Sequence, residues 1–169
     1  LQRKVQSSSA DIGLAFDGDA DRVFLVDEMG QSLSGSDTTA LVAKSILDRE
    51  PGSVIIHNLI CSRAVPETIK RYGGQALRSR VGHSYIKQLM AETDASFAGE
   101  HSGHYYFRDN YRADSGLIAA LLVMQEMSDR EISLSSLRKD FGSYSSTGEI
   151  NFRVDNPTDV IERISDIFS

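Results

Sequence analysis

Between residues 53 and 128, short β-leaning runs take turns with helix-length stretches: "SVIIHN", "VPETIKRY", "QALRSR", "SYIKQLMAE", "ASFAG" and, after an irregular segment, "GLIAALLVMQEMS". Parallel neighbours in a sheet cannot be joined by a tight turn, so each strand needs a crossover, usually a helix. The alternation therefore predicts an α/β fold, a three-layer α/β/α domain with a mixed, largely parallel sheet. Gly73 and Gly74 stop one helix, and the very apolar "GLIAALLVM" is expected to lie against the sheet. Upstream, "GSDTTALVAKSILDRE" reads as a helix capped by Ser36 or Asp37, with Leu41, Ile46 and Leu47 giving a partial apolar face. Downstream come a polar helix near "LSSLRKDFG", a strand at "STGEINFRV" and an amphipathic helix, "PTDVIERISDIF", with Pro157 at its start. The stretch "EHSGHYYFRDNYRADS" reads as a loop, and the opening "LQRKVQSSSAD" as a lead into the first strand. Residues 142–148, rich in Ser, Gly and Tyr, are the best boundary.

Ahead of this alternation stands "DIGLAFDGDADRVFLVD", two apolar β-leaning runs around three carboxylates at i, i+2 and i+4. Three like charges so close repel unless a cation sits among them. Asp17, Asp19 and Asp21 are hard oxygen donors, and Gly18 and Ala20 are small enough for the backbone to curl between them. Such a loop suits Mg²⁺, which takes a few carboxylates and keeps positions for phosphate or water. Arg22 beside them offsets surplus negative charge or grips a phosphate. The same triplet also serves as a solvated acidic turn.

Two other chemistries use similar spacings. An EF-hand would place ligands at Asp17, Asp19, Asp21 and Glu28, but its sixth position demands glycine and here is Arg22; its flanks should be helices, not strands. A haloacid-dehalogenase-type phosphatase carries an aspartate nucleophile at a strand end in an Asp-x-Asp pattern, which "LAFDGD" fits. Asp21 stands where such enzymes place Thr or Val, so this is the runner-up.

A second constellation is "GEHSGHYYF". Glu100, Ser102 and His104 alternate, so an extended loop presents all three to one side. Together they offer an anionic acceptor, a hydroxyl and an imidazole, a set suited to sugar hydroxyls, and Gly99 and Gly103 let the backbone turn tightly. A zinc pairing of His101 with His104 lacks evident further ligands, and a polar surface loop is the plain alternative. Tyr105, Tyr106 and Phe107 read as core and cleft wall, and His57 and His101 as structural.

A formal net charge of −6 and the lack of any basic run exclude a general nucleic-acid binder. Cys61 stands alone, which rules out an internal disulfide and suits a reducing cytoplasm. No apolar run is long enough for a membrane span. With 169 residues the chain has room for one sizeable domain and a remnant of another, and its lack of an initiator methionine reads as a piece of a longer protein.

Taken together, "DGDADR" and, about eighty residues later, "GEHSGH" resemble the α-D-phosphohexomutase superfamily, specifically the bacterial phosphomannomutase/phosphoglucomutase enzymes. "ICSR" and "SRVGHSYIKQLM" fall where that family keeps further active-site segments. The resemblance implies domains arranged around a deep cleft: residues 1–31 as the end of domain 2 with its metal loop, 32–143 as domain 3 with the sugar loop, and 144–169 as the start of domain 4. It implies phosphoryl transfer between an enzyme phosphoserine and a hexose 1- or 6-phosphate of mannose or glucose, through a 1,6-bisphosphate. Mg²⁺ would be held by Asp17, Asp19 and Asp21, Arg22 would contact the substrate or the phosphoryl group, and Glu100 and Ser102 would hold sugar hydroxyls. His104 would support that loop or touch substrate. His83 matches a family histidine near the reacting oxygens, and Arg63 a basic position lining the cleft. At Ile60 the sequence departs from members that place a catalytic lysine there, and the role passes to His83 or an arginine such as Arg80. The family's phosphoserine loop, of the type Thr-Ala-Ser-His-Asn-Pro, is absent from this sequence, as is the phosphate-binding loop of domain 4. The implied partners are hexose phosphates and the remaining domains of the same parent chain, with the isolated fragment inactive. A sugar-phosphate-binding domain without turnover is the non-enzymatic alternative.

Overall fold

In the computed structural model, which describes residues 1–141, 144, 148 and 150–168, the chain opens with a helix, α1 (Gln2–Ser8). A serine-rich stretch reads poorly as helix, but Val5 is buried, and the Cβ position of Gly13 lies 2.5 Å from its side chain. Tertiary burial of that one valine overrides local propensity. Strands β1 (Ile12–Phe16) and β2 (Val23–Asp27) then form an antiparallel hairpin whose connection is the acidic loop, residues 17–22.

Helix α2 (Gly35–Arg49) begins two residues earlier than its sequence suggests. Ser34 is the N-cap: its hydroxyl accepts from the Asp37 amide while Asp37 accepts from the Ser34 amide, a reciprocal capping box. Ser36 is buried and bonds His101 instead.

The sheet follows: β3 (Val54–Asn58), α3 (Ala64–Arg71), β4 (Gln75–Ser79), α4 (His83–Thr93), β5 (Phe97–Gly99), β6 (Tyr105–Phe107), a 3₁₀ turn and β7 (Ala113–Asp114). Its strand order is β4-β3-β5-β6-β7. β3 has parallel partners on both sides, and these longer ladders make the sheet largely parallel; β6 and β7 add antiparallel edges. The segment that reads as one long loop therefore contains two strands. Both are too short for a period-2 pattern to show, yet Tyr105, Tyr106 and Phe107 are all buried.

Side chains alternate across the sheet. Ile55, Phe97, Tyr105 and Phe107 face a core shared with α2, α3 and two further helices, α5 (Gly116–Arg130) and α6 (Leu134–Arg138). Ile56, Ala98 and Tyr106 face Ile86 and Met90 of α4. That is the expected three-layer arrangement, with α5 against the main core through Ala119, Ala120 and Val123.

Of the strand expected at 146–154, residues 146, 147 and 149 lie outside the described residues, as does most of the expected boundary at 142–148. Residues 150–154 form no strand, and Ile150, Phe152 and Val154 are exposed. A final helix, α7 (Pro157–Phe168), carries no buried residue. Among the described residues, no helix is long and apolar enough to cross a membrane.

Candidate functional site

After β3 the chain runs through α3 to β4 on one side, then returns through α4 to β5 on the other. This divergence opens a crevice at the carboxyl ends of β3 and β5, the usual ligand position in open α/β sheets. Asn58 ends β3 and Glu100 directly follows β5. The Glu100 carboxylate is buried, 3 % exposed, and held on both oxygens. Oε1 accepts from Asn58 Nδ2 at 3.2 Å and from the Gly82 amide at 3.4 Å; Oε2 accepts from the Tyr106 hydroxyl at 2.9 Å.

From Glu100 the chain turns back into β6. The Gly103 amide donates to the Glu100 carbonyl at 3.1 Å and the Glu100 amide to the His104 carbonyl at 3.0 Å. Gly103 has φ +93°, a conformation that strongly favours glycine. This tight turn brings Glu100, Ser102 and His104 onto one wall of a cleft of about 430 Å³, shared with Asp21, Gly82, His83, Lys87, Tyr106 and Asp114. The three residues that alternate in sequence do face together.

The acidic loop is stitched to the same place. Arg22 forms an antiparallel bridge with His104, the Val23 amide donates to the Gly103 carbonyl, and the Gly116 amide donates to the Ala20 carbonyl at 3.2 Å. His104 Nδ1 lies 2.9 Å from Asp114 Oδ2 and 3.7 Å from Asp21 Oδ2. Lys87 Nζ reaches the other Asp114 oxygen at 3.2 Å. Desolvation raises the Asp114 carboxyl, but its own backbone amide, His104 and Lys87 together bring it below its ordinary pKa.

Carboxylate oxygens of Asp17, Asp19 and Asp21 lie within 4.8 Å of one another. Asp21 Oδ1 is buried with no hydrogen bond, and burial together with the neighbouring Asp17 and Asp19 holds this carboxyl above its usual range despite the opposing charge of His104. An orphaned buried carboxylate oxygen inside an all-oxygen donor set fits a hard divalent cation such as Mg²⁺. Asp17 behaves differently. Arg22 Nε bonds its Oδ2 at 2.6 Å, and although partial desolvation raises the Asp17 carboxyl, the Arg22 contacts bring it net below its ordinary value. A phosphatase nucleophile at the end of a parallel strand is a poor match, because β1 turns straight into an antiparallel hairpin.

Other expected residues are placed less centrally. His83 lines the cleft from the start of α4, but Arg22 points to Asp17 and Arg63 sits exposed at the N-cap of α3; neither lines the cleft. The Arg80 guanidinium lies over the Tyr85 ring. His101 Nδ1 bonds Ser36 Oγ at 2.8 Å rather than joining His104. His57 is buried and bonds the Asn58 carbonyl, as a structural histidine does.

Sequence reasoning misses Asn58, Lys87 and Asp114. A faint signal existed for Lys87, four residues after His83 and so on the same helix face. Nothing local marks Asp114, which meets Lys87 only through the fold.

Residues 34–144 match the family described as phosphoglucomutase/phosphomannomutase, alpha/beta/alpha domain III. A phosphomannomutase of Methanocaldococcus jannaschii is 45 % identical across 98 % of this chain, which covers 37 % of that protein. A crystal structure of a phosphoglucomutase/phosphomannomutase family protein from Burkholderia thailandensis superposes with TM-score 0.77 and 36 % identity, covering 86 % of this chain and 32 % of that one. At 16 % identity and TM-score 0.64, an Aspergillus fumigatus N-acetylphosphoglucosamine mutase solved with GlcNAc-6P and magnesium shares the fold over 76 % of this chain and 32 % of its own. The chain thus spans about a third of the length of the relatives it matches.

Proposed function

Because the chain belongs to the phosphoglucomutase/phosphomannomutase family, we propose that it is the metal-holding and sugar-recognising part of a mutase interconverting hexose 1- and 6-phosphates of mannose or glucose. The observation that carries this reading is the meeting of Asp21, from the acidic loop, with Glu100, Ser102 and His104 in one cleft. In the parent chain we assign residues 1–31 and 144–169 to neighbouring domains and 32–143 to the sugar-binding domain. The phosphoryl carrier, a phosphoserine passing through a 1,6-bisphosphate, lies on the remaining domains, so the isolated fragment does not turn over. We place the protein in the cytoplasm, where Cys61 stays reduced.

The cleft and the acidic loop beside it divide the work in this reading. A carboxylate offers about four lone-pair directions; three of those on Glu100 are taken by Asn58, Gly82 and Tyr106, which leaves one for a sugar hydroxyl. Ser102 donates to or accepts from a second hydroxyl. His104, with Nδ1 committed to Asp114, keeps Nε2 for the substrate. His83, at the mouth of the cleft, moves a proton at the reacting oxygen. Arg22 holds Asp17 by an exposed ion pair in the chain alone, an interaction weak enough in water for an arriving phosphoryl group to draw the guanidinium away. Asp17, Asp19 and Asp21 would hold Mg²⁺, which would supply positive charge to offset phosphoryl oxygens.

A sugar that binds in two orientations presents its hydroxyls to Glu100 both times. In the full-length parent protein, Glu100→Gln is therefore expected to lower kcat/KM in both directions of isomerisation, by about tenfold to a hundredfold for one lost charge-assisted bond. Unchanged kinetics both ways remove Glu100, and this reading with it.

A further inference from the structure

Among the described residues, the side chains lining the cleft include three carboxylates, Asp21, Glu100 and Asp114, and one permanent cation, Lys87. A phosphoryl group carries close to two negative charges near neutral pH. Brought against this wall it is repelled by the carboxylates unless a cation faces it. We propose that Lys87 binds a phosphoryl oxygen of the sugar phosphate, and that Asp114 is the positioning residue that aims it. The inference rests on the reading of the cleft as a hexose phosphate site and adds to it the residue that meets the phosphate on this wall.

Lys87 is not a lysine adrift on a helix surface. It stands one turn after His83 on α4, so both project from the same face into the cleft. Its Nζ lies 3.2 Å from Asp114 Oδ1 and 5.7 Å from the centre of the Tyr106 ring, which fixes it from two directions. Asp114 is itself anchored, its side chain 14 % exposed and its second oxygen bonded to His104 Nδ1 at 2.9 Å. An ammonium has three N–H donors. Asp114 takes one, and the Lys87 side chain, 41 % exposed, keeps the others open to a ligand. Its ammonium is thus held in place by Asp114 and the Tyr106 ring while the side chain as a whole stays partly exposed.

The test is a titration of the 169-residue chain with glucose 6-phosphate, followed by amide NMR shifts at residues 81–87 and 100–106, with glucose as the uncharged control. Lys87→Met, similar in length and equally helix-forming, is expected to raise the Kd for glucose 6-phosphate about tenfold, the loss of one charge-assisted bond, while the glucose shifts stay as they are. Lys87→Arg should restore most of the affinity, which a purely structural role would not require. Asp114→Asn should weaken glucose 6-phosphate by less than Lys87→Met, with the spectrum otherwise that of the folded chain. If glucose 6-phosphate shifts the cleft residues equally in the native chain and in Lys87→Met, the assignment of Lys87 is wrong and the hexose phosphate reading stands. If the native chain shows no cleft shifts with glucose 6-phosphate at all, both fall together.

Discussion

Asp21 has one carboxylate oxygen, Oδ1, buried without a hydrogen bond, while the other lies 3.7 Å from His104 Nδ1. Leaving such an acceptor unsatisfied costs about 1–3 kcal/mol, a cost that a cation bound to the loop would offset. Two features keep that binding weak in this chain. Mg²⁺ takes only one or two carboxylates readily and draws on phosphate oxygens for the rest, and Arg22 already occupies Asp17. Calorimetry should therefore show at best feeble Mg²⁺ binding, removed by Asp21→Asn. Binding should also weaken as the pH falls, because a carboxyl with a raised pKa takes up its proton sooner. Tight binding that prefers Ca²⁺ would contradict this account of the loop. At this scale the sequence was informative where donors were neighbours in the chain: the spacing of Asp17, Asp19 and Asp21 and that of Glu100, Ser102 and His104 each survive folding as a cluster. Asn58 and Asp114 were not legible, because separate elements carry them and only the fold brings them together, and Lys87 showed only faintly through its spacing from His83.

Between elements, the acidic loop is fixed less by its own residues than by the helix packed beneath it. Ser115 caps α5 by accepting from the Ile118 amide, and Gly116 then passes directly under β2. A Cβ at Gly116 would stand 2.6 Å from the Arg22 carbonyl carbon and oxygen and 2.9 Å from the Val23 nitrogen, all backbone atoms that cannot rotate away. Gly116→Ala should therefore destabilise the chain by about 1–3 kcal/mol, the usual cost of overpacking, and displace residues 17–22, where Mg²⁺ would bind. Gly18→Ala is the matched control: nothing lies within 4 Å of its Cβ position, so stability should change by no more than about 0.5 kcal/mol. Thermal unfolding of the two variants, with amide shifts for the loop, checks both. Equal melting temperatures would show that the loop is not braced by α5. The long elements were legible because α3, α4 and α5 carry whole turns of pattern. The short ones were not: β6 and β7 offer three and two residues, and α1 buries only Val5.

Across the molecule, the hairpin joins the main core through Val23 and Leu25. The hairpin is tied to α6 by Arg138 on Asp27 and by Ser135 on Glu28, and to the cleft by the bridge of Arg22 to His104. Helix α7 contributes no residue to that core. No residue of it is buried, and Ile161, Ile164, Ile167 and Phe168 are exposed along an amphipathic pattern. Such a face gains stability only when something covers it. Relatives of this chain are nearly three times its length, and the proposed parent supplies a further domain for that face. Removing residues 157–169 should then cost the rest of the fold little. A loss of 1 kcal/mol lowers the melting temperature by roughly 2–4 °C in a chain of this size, and with no buried side chain removed we expect a shift below about 2 °C by calorimetry. The Glu100 cleft should keep its amide shifts in the truncated chain, since no residue of α7 lines it. A drop of about 5 °C or more would mean that α7 docks on the core in solution, and its apolar face would then belong to this domain rather than to the next.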